Sequence, residues 1–336
     1  MIRFGIVGLG VIANTHIQAL GEIPDAVVAG VFDRSRERTE AIAAELGARA
    51  YRSYSAMLAD ENIDAVCICT PSGFHADQAV QALREGKHVV LEKPMALNTA
   101  DAERVCREAE INHRLLTVIF QSRFFEDVMR LKEMIRLGQL GRLTLCDLYM
   151  KFWREPSYYK SGAWRGTWLM DGGGALMNQG IHGVDLMRYL LGEVTLLRGC
   201  ARTMVHDIEV EDTAVALVEY STGGMGVIEA STATYPGDSR RIEIHGSLGY
   251  AVLVNFTLEK LFVNGEMLID RVVETDVGLV SDPTRMNHEG HLRQLCNFVA
   301  AINEREELRV TARDGYEAVR LIEEIYDSSN NNKSNK

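Results

Sequence analysis

The chain has 336 residues, 46% of them hydrophobic and 25% charged, an ordinary globular composition long enough to divide into two domains. A formal net charge of −11 and a pI near 5.4 exclude nucleic acid and anionic membrane surfaces as partners, because either needs a basic face. No apolar run reaches the length of a membrane span, which leaves a small molecule as the expected ligand.

From the N-terminus, short Val/Ile/Ala-rich runs at Ile2–Val7, Val27–Phe32, Ala65–Cys69, His88–Leu91 and Leu116–Phe120 alternate with helical patterns at Arg36–Leu46, Phe74–Arg84 and Thr99–Asn112. Alternation of this kind predicts an α/β domain with a doubly wound parallel sheet, of the Rossmann type, over residues 1–122. The chain starts directly on a strand, without the charged region and cleavage site of a signal peptide, so a cytoplasmic location is expected.

After a helix at Asp127–Leu137 the pattern changes. Leu143–Phe152, Leu196–Met204, Ala214–Tyr220, Met225–Thr234, Arg241–His245, Ala251–Val254 and Glu259–Val263 follow one another with mostly short connections. They predict a large, mostly antiparallel open sheet in an α+β domain over residues 123–304. One helix, Ala175–Leu191, interrupts the strands, and two, Arg285–Asn303 and Ala312–Asp327, close the chain. The last helix, within 305–328, is expected to pack back near the first domain. The Ser- and Asn-rich residues 329–336 read as a frayed tail. A broad sheet with helices on one face needs cover on the other, which predicts a homo-oligomer, dimer or tetramer, through the C-terminal sheet. The six cysteines, at 67, 69, 106, 146, 200 and 296, form no C-x-x-C pair and read as reduced core residues.

Gly8-Leu9-Gly10-Val11-Ile12-Ala13 follows the first strand and opens a helix, matching G-x-G-x-x-G/A in the context the motif requires. Gly8 permits the tight turn, Gly10 lets a pyrophosphate approach the backbone, and Ala13 allows close helix–sheet packing. The N–H groups at Val11 and Ile12 point toward the phosphates. Asp33 lies 20 residues after Ala13, at the end of the second strand, where a carboxylate accepts hydrogen bonds from the adenosine ribose hydroxyls. Asp33 repels a 2′-phosphate and favours NAD, whereas Arg34, Arg36 and Arg38 keep NADP open.

Two more segments stand at the C-terminal ends of parallel strands, where ligands of this fold bind. They are Thr70-Pro71-Ser72-Gly73-Phe74-His75 and Glu92-Lys93-Pro94. His75 reads as a contact to cofactor phosphates or ribose, or as the start of a helix. With the glycine motif and Gly172-Gly173-Gly174-Ala175-Leu176-Met177-Asn178-Gln179-Gly180-Ile181-His182-Gly183-Val184-Asp185, the chain resembles the glucose–fructose oxidoreductase, inositol dehydrogenase and rhizopine-catabolism (Gfo/Idh/MocA) family across both domains.

The resemblance implies an enzyme that moves hydride between a nicotinamide and a hydroxyl or carbonyl carbon, usually on a sugar, nucleotide sugar or cyclitol. Lys93 matches the family's catalytic lysine, and an ammonium there stabilises charge on the reacting oxygen. Glu92 orients Lys93 or hydrogen-bonds the cofactor. His182, four residues after Asn178 on one helix face, suits a proton relay. Many members carry an aspartate at position 178; Asn178 cannot supply its charge, although it can orient the histidine or hold a substrate hydroxyl.

The segment from Arg154 to Asp171 contains Tyr158, Tyr159, Trp164, Arg165 and Trp168. It reads as a substrate loop, with Tyr159, Trp164 and Arg165 as contacts, or as a structural anchor or oligomer contact. Arg123 reads as a substrate contact or a domain-linking salt bridge. His182, Asp185, His206, Asp207, His288 and His291 show no strong zinc spacing, and no metal is expected. Two rival functions share these features: a non-catalytic NAD(P)-binding sensor, and glycosidic cleavage that uses NAD transiently and recycles it in place.

Overall fold

The computed structural model describes residues 1–274 and 288–334, which form two compact units. The first comprises Met1–Gln121 and Met286–Glu317, the second Ser122–Arg285 and Ala318–Lys336, as far as these residues are described.

In the first unit, strands β1 (Ile2–Val7), β2 (Ala26–Phe32), β3 (Arg49–Ala50), β4 (Ala65–Ile68), β5 (His88–Leu91) and β6 (Leu116–Val118) form one parallel sheet in the order β3-β2-β1-β4-β5-β6. Helices α1 (Val11–Gly21), α2 (Arg36–Leu46), α3 (Tyr54–Leu58), α4 (His75–Arg84) and α5 (Thr99–Ile111) connect the strands. β4 is buried at every residue, as a sheet covered on both faces requires. The two-residue β3 and the single-turn α3 are too short to leave a periodic signal.

The second unit begins with α6 (Glu126–Arg136) and β7 (Leu143–Lys151), then runs through the short helices α7 (Pro156–Lys160) and α8 (Trp168–Asp171) into α9 (Ile181–Leu191). Seven strands follow: β8 (Val194–Arg202), β9 (Thr213–Tyr220), β10 (Met225–Ser231), β11 (Arg241–Gly246), β12 (Gly249–Val254), β13 (Thr257–Val263) and β14 (Glu266–Asp270). Their order is β14-β13-β12-β11-β7-β10-β9-β8, with only the β7–β10 pair parallel. Along β9, Ala214, Ala216, Val218 and Tyr220 are buried while the residues between them face outward, the alternation of a sheet packed on one face.

Four expectations change. The penultimate helix, α10 (Glu289–Ile302), belongs to the first unit and not to the second domain. Its Leu295, Phe298 and Val299 enter the core with Phe4, Ile6 and Leu20, and Phe298 lies 6.5 Å from Phe4 ring to ring. Arg285 to Asn287, placed in this helix by the sequence, lie outside the described residues. The last helix, α11 (Ala312–Ser334), groups with the first unit only up to Glu317.

Nor does the chain fray at Ser329. The helix continues to Ser334 because the Ser328 and Ser329 hydroxyls accept from Gly199 N and Ala201 N, at 2.9 Å each, on the edge strand β8. Asn335 and Lys336 lie outside the described residues. All six cysteines are free, but Cys200 and Cys296 are exposed, so only four belong to the core. Among the described residues no helix is long and apolar enough to cross a membrane.

Candidate active site

In the first unit, β1 ends in the glycine turn. Gly8 has φ +82° and a side chain there would meet Cys69 O and Thr70 Cγ2 at 2.9 Å, so only glycine fits both backbone and neighbours. Beside Gly10 a Cβ would meet nothing within 4 Å. The N-terminus of α1 has no side-chain cap, which leaves backbone N–H groups to face an anion across that open space. Val11 is exposed and Ile12 half-buried at this end. A glycine cradle and uncapped donors suit a dinucleotide pyrophosphate.

Asp33 stands at the end of β2 and is tied into the same loop. One carboxylate oxygen accepts from Leu9 N at 2.9 Å and the other from Ser35 N at 2.8 Å. Arg38 Nη1 lies 3.6 Å from it, while Arg34 is exposed. Asp33→Ala is expected to lower the NAD-to-NADP ratio of kcat/KM by about tenfold or more, because it removes a charge that repels a 2′-phosphate. Steady-state kinetics with both cofactors check this; an unchanged ratio rejects the ribose contact.

At the ends of β4 and β5, Thr70 and Pro71 lead into α4, and Glu92-Lys93-Pro94 leaves the buried strand through a cis Lys93–Pro94 bond. The structure gives His75 another post than cofactor contact. It is 1% exposed, with Nδ1 at 2.7 Å from Pro94 O and Nε2 at 2.8 Å from Thr70 O, so the ring lies between the two segments and its N–H donates to one of these carbonyls. Thr70 Oγ1 donates to Gln78 Oε1 at 2.6 Å.

Glu92 also faces inward. Its Oε1 lies 2.8 Å from His16 Nε2 and 3.8 Å from His291 Nε2, and its Oε2 accepts from Lys93 N at 3.3 Å. Burial pushes the carboxyl's pKa up, but hydrogen bonds from His16 and His291 outweigh burial and hold it well below the carboxylate range. The three side chains offer donor atoms within 4.8 Å of one another. A ligating histidine normally gives its other nitrogen to an acceptor, and here Nδ1 of both His16 and His291 has no partner among the described residues. The arrangement is therefore a hydrogen-bonded support under Lys93, itself half-buried at the strand end. His288, by contrast, turns away to Glu22 at 2.5 Å.

In the second unit, Ala175–Gly180 forms a π-helical segment that runs into α9. The wider turn alters the α-helical i, i+4 relation assumed between Asn178 and His182. Gly174 starts the segment, and a Cβ there would lie 1.7 Å from Glu211 O. Buried Glu211 accepts from Gly174 N, Leu176 N and Tyr326 Oη, each at 2.8 Å. Burial pushes its pKa up to about 7 despite these donors.

Asn178 Nδ2 donates to Asp171 Oδ1 at 2.7 Å, and Asp171 Oδ2 accepts from Gly166 N at 2.9 Å. A buried carboxylate thus stands one hydrogen bond behind Asn178. Gln179 Nε2 and Arg165 Nη1 both donate to Tyr158 Oη, at 2.8 and 2.6 Å, and Arg154 Nη2 donates to Gln179 Oε1 at 2.8 Å. Arg165 also stacks on Tyr158 and Trp164, at 4.4 and 4.6 Å from the ring centroids. With two donors on its oxygen, Tyr158 keeps its own O–H to give. His182 is half-buried in the first turn of α9.

Two substrate candidates have structural posts instead. Tyr159 Oη pairs with Thr232 Oγ1 at 2.8 Å and its ring packs 4.9 Å from His206. Arg123, 6% exposed, gives Nε and Nη2 to the Asp185 carboxylate at 2.9 and 2.5 Å. Both partners belong to the second unit, so the pair braces that unit and does not link the domains. Sequence reasoning missed His16, Asp171 and Glu211, and named Tyr158 only within the aromatic loop and Gln179 only within the family motif. Asp171, directly before three glycines, offered a local signal; Glu211, 35 residues from Leu176, offered none.

A Rossmann unit with a dinucleotide cradle, joined to a mixed sheet bearing a polar helix start, defines an NAD-binding oxidoreductase. Comparison with known proteins agrees: residues 2–120 match the oxidoreductase family with an NAD-binding Rossmann fold, and residues 128–252 match the GFO/IDH/MocA C-terminal domain. The chain belongs to the Gfo/Idh/MocA family. It is 26% identical to myo-inositol 2-dehydrogenase of Thermotoga maritima, over 95% of this chain and 94% of that one. It is 29% identical to inositol 2-dehydrogenase of Rhizobium meliloti, over 96% and 95%. The WlbA dehydrogenase of Bordetella pertussis, solved with NADH and UDP-GlcNAcA, superposes with a TM-score of 0.86 at 31% identity, covering 98% of this chain and 96% of that one.

Proposed function

We propose that the protein is an NAD-dependent dehydrogenase of a sugar, nucleotide sugar or cyclitol, with Lys93 polarising the reacting oxygen and His182 relaying its proton. The observation that carries the reading is the support under Lys93: Glu92, held by His16, takes the Lys93 N–H, and His75 holds the Pro94 carbonyl. Preorganisation of this kind is what electrostatic stabilisation of a developing alkoxide requires. Held at the glycine turn and Asp33, NAD would supply a hydride acceptor for the carbon bearing the hydroxyl. The hydroxyl proton passes to His182 during oxidation and returns from it during reduction.

Asn178, backed by Asp171, and Tyr158, backed by Arg165 and Gln179, supply donors suited to sugar hydroxyls. The inositol dehydrogenases and the UDP-GlcNAcA complex among the relatives support the same substrate class. His182→Asn is expected to lower kcat/KM roughly 10²–10⁴-fold and to change the shape of its pH profile. A retained pH profile at undiminished rate rejects the relay. The outward, half-exposed Leu145, Val215, Leu217 and Met225 on the sheet support a homo-oligomer through that face; a monomer in sedimentation equilibrium contradicts it.

A further inference from the structure

Among the described residues three arginines are less than one-tenth exposed: Arg123, Arg154 and Arg240. Arg123 is paired with Asp185, and Arg154 donates to Trp153 O and Gln179 Oε1. Arg240 differs from both. It is 8% exposed, and its Nε and Nη1 are enclosed without a hydrogen-bond partner. Among the described residues no acidic side chain offsets the cost, and burial pushes its pKa down to about 10.

The position is built and held. Arg240 directly precedes β11, and with Ile242 and Ile244 it has the register of the buried face. Asn255 N donates to Arg240 O at 2.7 Å, and Asn255 Nδ2 donates to the Ser239 hydroxyl at 3.1 Å. The guanidinium carbon lies 5.3 Å from the centre of the Phe256 ring, which is stacked on Phe125 at 4.4 Å and 5°. An aromatic face returns part of the energy of desolvating a cation. It accepts none of the N–H donors in their own plane, and buried donors are otherwise satisfied in folded proteins.

We propose that Arg240 is the cationic centre of an oxyanion subsite in the second unit, taking a phosphate or carboxylate group of a small molecule. An oxyanion supplies both missing elements, the counter-charge and the in-plane acceptors. The subsite stands on residues of the second unit and is independent of the roles given to Lys93 and His182. Its extension to substrate rests on the function proposed above: the oxyanion then belongs to the diphosphate of a nucleotide sugar or to the carboxylate of a sugar acid.

Thermal unfolding of the full chain, saturated with NAD so that the phosphate-binding turn of the first unit is filled, tests the proposal. Inorganic phosphate and glucuronate are titrated at constant ionic strength, with myo-inositol as the neutral control. The wild type is expected to show a saturable rise in Tm with one or both anions and none with myo-inositol. Arg240→Met is expected to show no rise, yet to be no less stable than the wild type without anion, since it removes an unpaired buried charge. A response to phosphate alone points to a nucleotide sugar, and one to glucuronate alone to a sugar acid. Equal responses in the wild type and Arg240→Met, or no response of the wild type to either anion, overturn the proposal. Should Arg240→Met fail to fold, Arg240→Gln takes its place, and an anion-induced rise in Tm equal to that of the wild type in that variant overturns the proposal equally.

Discussion

Lys93→Met is expected to lower kcat/KM by roughly 10²–10⁴-fold while leaving the NAD dissociation constant within about twofold. The side chain leaves β5 half-buried, on a backbone fixed at both ends by Glu92 and His75. On the reading proposed above, loss of its ammonium falls on the transition state and not on the dinucleotide, which that reading assigns to Gly8, Gly10 and Asp33. Methionine keeps the length and apolar stem of lysine, so the loss reports the charge. Turnover near the wild-type rate, or a parallel collapse of NAD binding, removes Lys93 from the chemistry.

The second large effect is on stability. Arg123→Ala is expected to cost about 3–5 kcal/mol, because it removes the bidentate guanidinium from the fully buried Asp185 carboxylate. The double variant Arg123→Met, Asp185→Leu is expected to recover most of that loss, since it removes both charges and fills the space. Urea unfolding followed by circular dichroism measures both. A cost under about 1 kcal/mol for Arg123→Ala, together with a raised KM, contradicts the brace and restores the substrate contact that the sequence left open.

The first unit was legible because its signals are local. A strand, a glycine turn, a helix and Asp33 follow one another within one βαβ stretch, and each strand end that carries function is marked by a short motif. What those motifs touch was less legible. His75 and Glu92 stand in a ligand-facing pattern, yet their side chains turn inward, onto Thr70, Pro94, His16 and His291. The partner His291 comes from a helix nearly two hundred residues away in the chain, beyond the reach of any spacing argument.

The second unit shows the same limit more sharply. Its strands were visible as alternation, but Asn178 looked like the loss of a charge until Asp171 was found bonded to it. The aromatic loop divided between Tyr159, packed on Thr232 and His206, and Tyr158, held by Arg165 and Gln179 with a hydroxyl to spare. Neighbouring tyrosines of identical composition differ here only by direction, which tertiary packing sets.

The central claim, net hydride transfer to NAD from a polyhydroxylated substrate, is tested most directly by absorbance at 340 nm. Purified protein is mixed with NAD and, in turn, inositols, sugars, sugar acids and nucleotide sugars, and each mixture is also followed by product analysis. The account predicts a rise with at least one of them, matched by an equal amount of the corresponding carbonyl product. An altered substrate with no net NADH contradicts the account in favour of a cofactor recycled in place, and NAD binding without any turnover across the panel contradicts it in favour of a sensor.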